Sequence, residues 1–294
     1  MAIDDPIIAA QKPRADFTID QVWDAYTEDE HARWRELYTR QINVLANRAV
    51  PEFYEGLEKL NLNEGGVPNF DLINEKLHAL TGWTVVSVPH LVPDDVFFEH
   101  LANRRFPAGR FIRGRNQMDY IQEPDIFHDV FGHVPMLTLP VFADYMQAYG
   151  QGGLRSLKFD CLKNLARLYW YTVEFGLINT DQGMKIYGAG IASSRTESRF
   201  SLEDPSPHRI HFDLERVMLT DYIIDDFQQI YFVIDSFEDL LKTTVDTDFA
   251  PIYERLHDIH TAYPVSRILE SDKVYNKGTQ DYAMRGGRFR KKAG

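Results

Sequence analysis

Glu123-Pro124-Asp125-Ile126-Phe127-His128-Asp129-Val130-Phe131-Gly132-His133-Val134-Pro135 sets two histidines five residues apart in apolar company. On an ideal α-helix five residues turn through about 500°, so the two rings would point about 140° apart. They converge only where the helix ends or distorts between them, and Gly132 and Pro135 are residue types that supply such a break. Neutral imidazole is the commonest metal ligand. Two histidines alone are better explained as buried rings each bonded to a backbone carbonyl.

Leu165-Ala166-Arg167-Leu168-Tyr169-Trp170-Tyr171-Thr172-Val173-Glu174-Phe175-Gly176 changes that balance. It reads as a helix with almost no polar face near its end, and Glu174 stands among aromatics. A buried carboxylate without a cation is costly. Its partner is either Arg167, two turns earlier, or a metal. Two histidines and a carboxylate, with no cysteine, form the facial triad of non-haem Fe(II) oxygenases. Zinc hydrolases also use two His and a Glu, but usually within His-Glu-x-x-His, which is absent. His208/His211 and His257/His260 have no aromatic-embedded carboxylate beside them and read as surface histidines.

The rest of the chain is consistent with an acidic globular protein. It has 294 residues, 44% hydrophobic and 26% charged, and a net charge of -12, so a uniformly basic nucleic-acid footprint is absent. No apolar run approaches the roughly 20 residues of a membrane helix, and the acidic N-terminus does not read as a signal peptide. One cysteine, Cys161, excludes an internal disulfide framework and suits a reducing cytoplasm. Helical periodicity starts at Ile19 and carries Trp34, Leu37, Tyr38, Ile42 and Leu45. Asn69 and Gly82 bracket another helix, Pro93 and Asp94 open one through Leu101, and further helical patterns span 125–131, 140–149, 157–175 and 235–245. Strand patterns lie at 83–88, 184–187 and 231–233, with another in 104–115. Residues 1–15 read as a loose arm, 16–270 as one continuous domain, and 271–294 as a basic, disordered tail. Within that tail, residues 282–294 hold five basic residues and no acid; an arm for RNA is the alternative reading of this run.

Five ordered motifs carry a family resemblance. Residues 123–135, LYWYTVEFG (168–176), YGAGIASS (187–194), DDVFFEHLANRRFP (94–107) and FQQIYFVIDSF (227–237) together resemble the catalytic domain of the pterin-dependent aromatic amino acid hydroxylases. The resemblance covers roughly residues 20–260. It implies a mainly helical, basket-shaped α+β domain with a few short strands and an iron cleft. It also implies Fe(II) and a tetrahydropterin as cofactors and conversion of L-phenylalanine to L-tyrosine with dioxygen. A cytoplasmic monomer, or at most a dimer, is expected, with neither membrane nor nucleic acid as partner.

Carried over residue by residue, His128, His133 and Glu174 match the iron ligands. Arg113 matches the arginine that grips the substrate carboxylate, and Asp125 the acid that orients it. Pro124 and Trp170 match pocket walls, Ser193 a serine supporting the first histidine, and Glu197 a glutamate lining the cleft. On the pterin side, Phe97 matches a stacking ring, and Tyr169 and the 88–92 loop with Val92 match contact positions. Asp129 matches a contact where animal members carry Glu. Ile224 stands where tyrosine-hydroxylating members carry Asp, so the resemblance points to phenylalanine. Hydroxylation of tryptophan or tyrosine, a zinc hydrolase with the same three ligands, and a helical interaction protein with a nucleic-acid-binding tail are the competing readings.

Overall fold

The structure, a computed structural model, describes residues 5–62, 65–119, 121, 123–257, 259 and 261–286, and of His257 the backbone alone. It is mainly helical with short strands, as expected, and packs as two compact units, residues 1–155 and 156–294.

The first unit opens with α1 (Pro6–Ala9), whose N-terminus is capped by Asp5. This segment is not the loose arm expected. The Asp5 carboxylate makes an ion pair with Arg110, the two side chains being only 9% and 2% exposed, and Gln11 and Asp20 bond to each other. α2 (Glu28–Leu45) starts nine residues later than the periodicity implied. A capping box, Thr27 with Glu30, satisfies its first N–H groups there. Its buried stripe runs Trp34, Leu37, Gln41, Val44, Leu45, so Gln41 rather than Ile42 faces inward. α3 (Pro51–Lys59) and α4 (Phe70–Thr81) follow. Asn69 caps α4, and Gly82 ends it at φ 74°, where a glycine carries no steric cost. β1 (Thr84–Val88), α5 (Asp94–Ala102) and β2 (Arg105–Gly109) form a βαβ unit with β1 parallel to β2. α6 (Pro140–Ser156) is the last helix to begin in this unit.

In the second unit the helical pattern over 157–175 is interrupted. Asp160 takes a left-handed φ of 53°, and α7 (Leu162–Tyr169) begins afresh after it. Then come β3 (Leu177–Thr180), β4 (Gly183–Ile186), α8 (Ala189–Ala192) and α9 (Glu197–Glu203). β5 (His208–His211), α10 (Leu214–Met218), β6 (Ile230–Ile234) and α11 (Phe237–Val245) lead to α12 (Phe249–His257), β7 (Val274–Asn276) and α13 (Asp281–Met284). The strands form one sheet in the order β4-β3-β6-β5-β7. β6, IYFVI, is central, parallel to both neighbours and buried throughout, which explains its unbroken apolar run.

Two expectations fail here. His208 is buried, not at the surface. Its Nδ1 accepts from the Gly278 N–H at 2.9 Å and its Nε2 faces the Ser266 carbonyl at 3.1 Å. That arrangement requires the neutral ring, and burial, the largest influence, lowers its pKa. Residues 271–286, expected to be disordered, are docked. β7 pairs with β5, and in α13 the Tyr282 hydroxyl donates to Asp226 while its N–H donates to Ser206 Oγ. Residues 287–294, which hold four of the five basic residues, and His260 lie outside the described residues.

Candidate metal centre

The two histidines converge without a helix break. Residues Phe127–His133 wind as a π-helix, whose i→i+5 hydrogen bonds stack residue i+5 above residue i. His128 and His133 thus share a face, with their Nε2 atoms 3.3 Å apart. Gly132 lies inside this turn, and Pro135 falls in the 3₁₀ turn after it, Val134–Thr138, so neither breaks the helix between the rings. Packing sustains the widened turn. Phe127 stacks on Phe131 with centroids 4.6 Å apart, and Trp34 and Phe53 meet that pair edge-on.

Glu174 ends a second π-helical turn, Trp170–Glu174, which continues directly from α7. The Phe175 N–H closes it on the Trp170 carbonyl at 2.8 Å. Glycines make room for it. A Cβ on Gly188 would stand 2.4 Å from the Gly176 nitrogen and 2.5 Å from the Glu174 carbonyl oxygen, and one on Gly190 would stand 3.0 Å from Glu174 Oε2. Glu174 is half-buried rather than fully buried, so its carboxylate is less costly than the sequence implied. Arg167 is engaged elsewhere, donating to Asp221 at 2.8 Å and to the Met218 carbonyl at 3.3 Å.

One ligand atom from each of His128, His133 and Glu174 lies within 4.8 Å of the other two. The donor set fits a divalent metal. Two imidazole Nε2 atoms facing each other at hydrogen-bond distance cannot both carry protons, and a carboxylate completes a three-ligand face with open positions.

Arg113, which resembles a surface residue in its local sequence, is buried against Asp125. Its Nε and Nη2 donate to the two carboxylate oxygens at 2.9 and 2.7 Å. Burial alone would raise the Asp125 pKa, but the Arg113 guanidinium and backbone N–H groups outweigh it and hold the carboxyl below its ordinary value. The same carboxylate accepts from the His128 N–H at 3.1 Å, so one acid orients the arginine and fixes the start of the histidine turn.

Other expected site residues are placed as follows. Phe97 and Val92 are half-buried, Phe97 meeting Phe98 edge-on. Asp129 is half-buried and accepts from the Gly109 N–H at the end of β2 at 2.8 Å, so part of its bonding capacity is used by backbone. Pro124, Tyr169 and Trp170 are half-buried. Trp170 stacks on Tyr222 with centroids 4.4 Å apart and donates from its indole to Gln228 Oε1 at 3.1 Å. Ser193 is buried and donates to the Ala189 carbonyl at 2.8 Å. Glu197 is 5% exposed and accepts from the Tyr231 hydroxyl and the Gln228 N–H. Burial raises its pKa to about 8, and those two donors only partly offset the effect. Ile224 is 70% exposed. It is no wall of a closed pocket here, so it does not set a preference for phenylalanine over tyrosine. Tyr222, Gln228 and Tyr231 were not singled out by sequence; a buried glutamine before an apolar strand carries no local signal of its role.

The family model of the biopterin-dependent aromatic amino acid hydroxylases matches residues 9–271. The chain belongs to this family. It is 64% identical over 276 residues to the phenylalanine-4-hydroxylase of Caulobacter vibrioides, covering 94% of this chain and 93% of that one. It is 56% identical to that of Ralstonia nicotianae, covering 92% and 86%. A crystal structure of phenylalanine hydroxylase from Chromobacterium violaceum with iron and phenylalanine bound superposes with a TM-score of 0.86 at 52% identity, covering 92% of this chain and 98% of that one. Among the described residues, no helix is long and apolar enough to cross a membrane.

Proposed function

We propose that this chain is a tetrahydropterin-dependent iron monooxygenase that converts L-phenylalanine to L-tyrosine with dioxygen. The observation that carries the reading is the convergence of His128, His133 and Glu174 in a chain of this family. His128, His133 and Glu174 would hold the iron, which would supply oxygen activation, and a tetrahydropterin bound beside it would supply the two reducing electrons. The protein's own residues bind, orient and exclude water. Arg113, held in plane by Asp125, is the partner for the amino-acid carboxylate, for which a guanidinium offers a bidentate edge. Trp170 and Pro124 form walls for the ring, and Ser193 and Glu197 support that side. Val92, Phe97, Asp129 and Tyr169 serve the pterin. The catalytic domain includes residues 16–270, to which the docked segments 5–15 and 271–286 add, and the family match covers 9–271. A monomer in the cytoplasm is part of the proposal, and the free, buried Cys161 accords with a reducing compartment.

The choice of phenylalanine now rests on the named relatives, not on Ile224. Purified protein with Fe(II), a tetrahydropterin and each aromatic amino acid in turn tests it. The expected result is pterin-dependent oxygen uptake with tyrosine formed from phenylalanine, and the highest kcat/KM for phenylalanine. A kcat/KM for tyrosine or tryptophan equal to that for phenylalanine overturns the substrate. Hydrolysis supported by zinc, with no pterin-dependent oxygen uptake, overturns the reaction class.

A further inference from the structure

Gln228 lies just before β6 and is 1% exposed. Its Oε1 accepts from the Trp170 indole at 3.1 Å and from the Ile223 N–H at 3.2 Å. Its Nε2 donates to the carbonyls of Ile223 and Asp226. Its backbone N–H donates at 3.3 Å to Glu197 Oε1, which also accepts from the Tyr231 hydroxyl. A primary amide offers two acceptor positions and two donor hydrogens, and Gln228 uses all four. No other side chain of its size meets this demand. A carboxylate would turn an oxygen towards two carbonyls, and an aliphatic chain would leave the indole and Ile223 N–H groups without an acceptor.

The turn that Gln228 grips is also the turn that Trp170 packs on. Tyr222 stacks on the indole with ring planes 22° apart, and the turn is anchored elsewhere at Asp221 by Arg167 and at Asp226 by Tyr282. Stacking fixes the indole's height above Tyr222 but leaves its rotation in plane free; the hydrogen bond to Gln228 fixes that rotation. We propose that Gln228 is the positioning residue for the amino-acid side of the site, locking the Trp170 indole and the 222–226 turn into one unit braced on Glu197. This rests on the reading of Trp170 as a wall of the amino-acid pocket.

The test compares Gln228→Met, Gln228→Glu, Trp170→Phe and the double variant Gln228→Met/Trp170→Phe in the iron- and pterin-supplied enzyme, with near-ultraviolet circular dichroism of each. Gln228→Met is expected to raise the phenylalanine KM about tenfold, with the pterin KM unchanged, because buried N–H groups lose their acceptor. Its tryptophan dichroism should shift. Gln228→Met should cost less in the Trp170→Phe background than in the wild type, since the indole bond is then already absent and only the bonds to Ile223 and Asp226 remain to be lost. Gln228→Glu keeps both accepted bonds and should give a smaller rise. An unchanged phenylalanine KM and spectrum in Gln228→Met, or fully multiplicative effects in the double variant, overturns the proposal. If Gln228→Met does not fold, Trp170→Phe decides, since it removes the same bond from the other side, and a wild-type phenylalanine KM in that variant overturns the proposal. A wild-type protein inactive on every aromatic amino acid would instead remove the functional reading, and the dichroism comparison would still judge the bond between Gln228 and Trp170.

Discussion

Arg113 and Asp125 are buried as an ion pair with both guanidinium edge donors satisfied. Removing one partner of such a pair leaves a buried charge, at about 3–5 kcal/mol. Arg113→Ala is therefore expected to lower the stability by that order in urea denaturation. It should also raise the phenylalanine KM at least about tenfold, with little change for the pterin, because a charge-assisted bond contributes about 1.5–3 kcal/mol. An unchanged phenylalanine KM would remove Arg113 from the substrate site. Glu197 poses the opposite case. Its folded carboxyl titrates at about 8, against an ordinary 4.5. Between those values the folded state keeps a proton that the unfolded chain has released, so stability falls as pH rises through the window and the loss is complete above about 8. Glu197→Gln keeps the amide oxygen as an acceptor and has no proton to lose. Its melting temperature should decline less than that of the wild type between about pH 5 and 8, and parallel profiles would refute the assignment of that proton. Neither environment is visible locally: Arg113 sits in FIRGR and Glu197 in RTESR, and only the partners brought by folding distinguish them from surface residues.

The elements that were legible are those with local punctuation. α4 has Asn69 before it and Gly82 after it, and β1 is an apolar β-branched run closed by Pro89. The two π-helical turns were not legible, because the choice between i→i+4 and i→i+5 bonding changes no residue preference and is made by packing. Around Phe127–His133 that packing is the Phe127–Phe131 stack; around Trp170–Glu174 it is the close approach of Gly176 and Gly188. Gly188→Ala should accordingly displace the turn that carries Glu174, since its Cβ would meet backbone on both sides and backbone cannot rotate away. The expected cost is about 1–3 kcal/mol by overpacking, together with a lower iron content per chain after reconstitution. Wild-type stability and full iron content in Gly188→Ala would contradict this account. β3, β5 and β7 escaped notice because they are four, four and three residues long and carry polar side chains. Their place in the sheet follows from β6, which supplies the buried neighbour for β3 and β5.

Across the whole molecule, the three proposed metal ligands come from positions 128, 133 and 174, and a metal held by all three would bind only a chain in which they have converged. Ligand that binds the folded state alone stabilises it by about 2.7 kcal/mol at a free concentration 100 times Kd. Fe(II) is therefore expected to raise the melting temperature of the wild type under anaerobic conditions and to leave that of Glu174→Ala nearly unmoved. An equal rise in both would show that Glu174 is not a ligand. The sequence alone determined the class of the fold, the candidate ligand types and the family, because these reside in apolar periodicity, in caps and in ordered motifs that survive as a linear string. Tertiary structure alone decided what depends on neighbours distant along the chain. It decided that the histidines meet through a widened turn and that His208 is buried and neutral. It brought residues 5–20 and 271–286 onto the body. It also left Ile224 facing solvent. Burial and hydrogen-bond partners are properties of the folded surroundings, and the same residue string is compatible with either environment until the rest of the chain is in place.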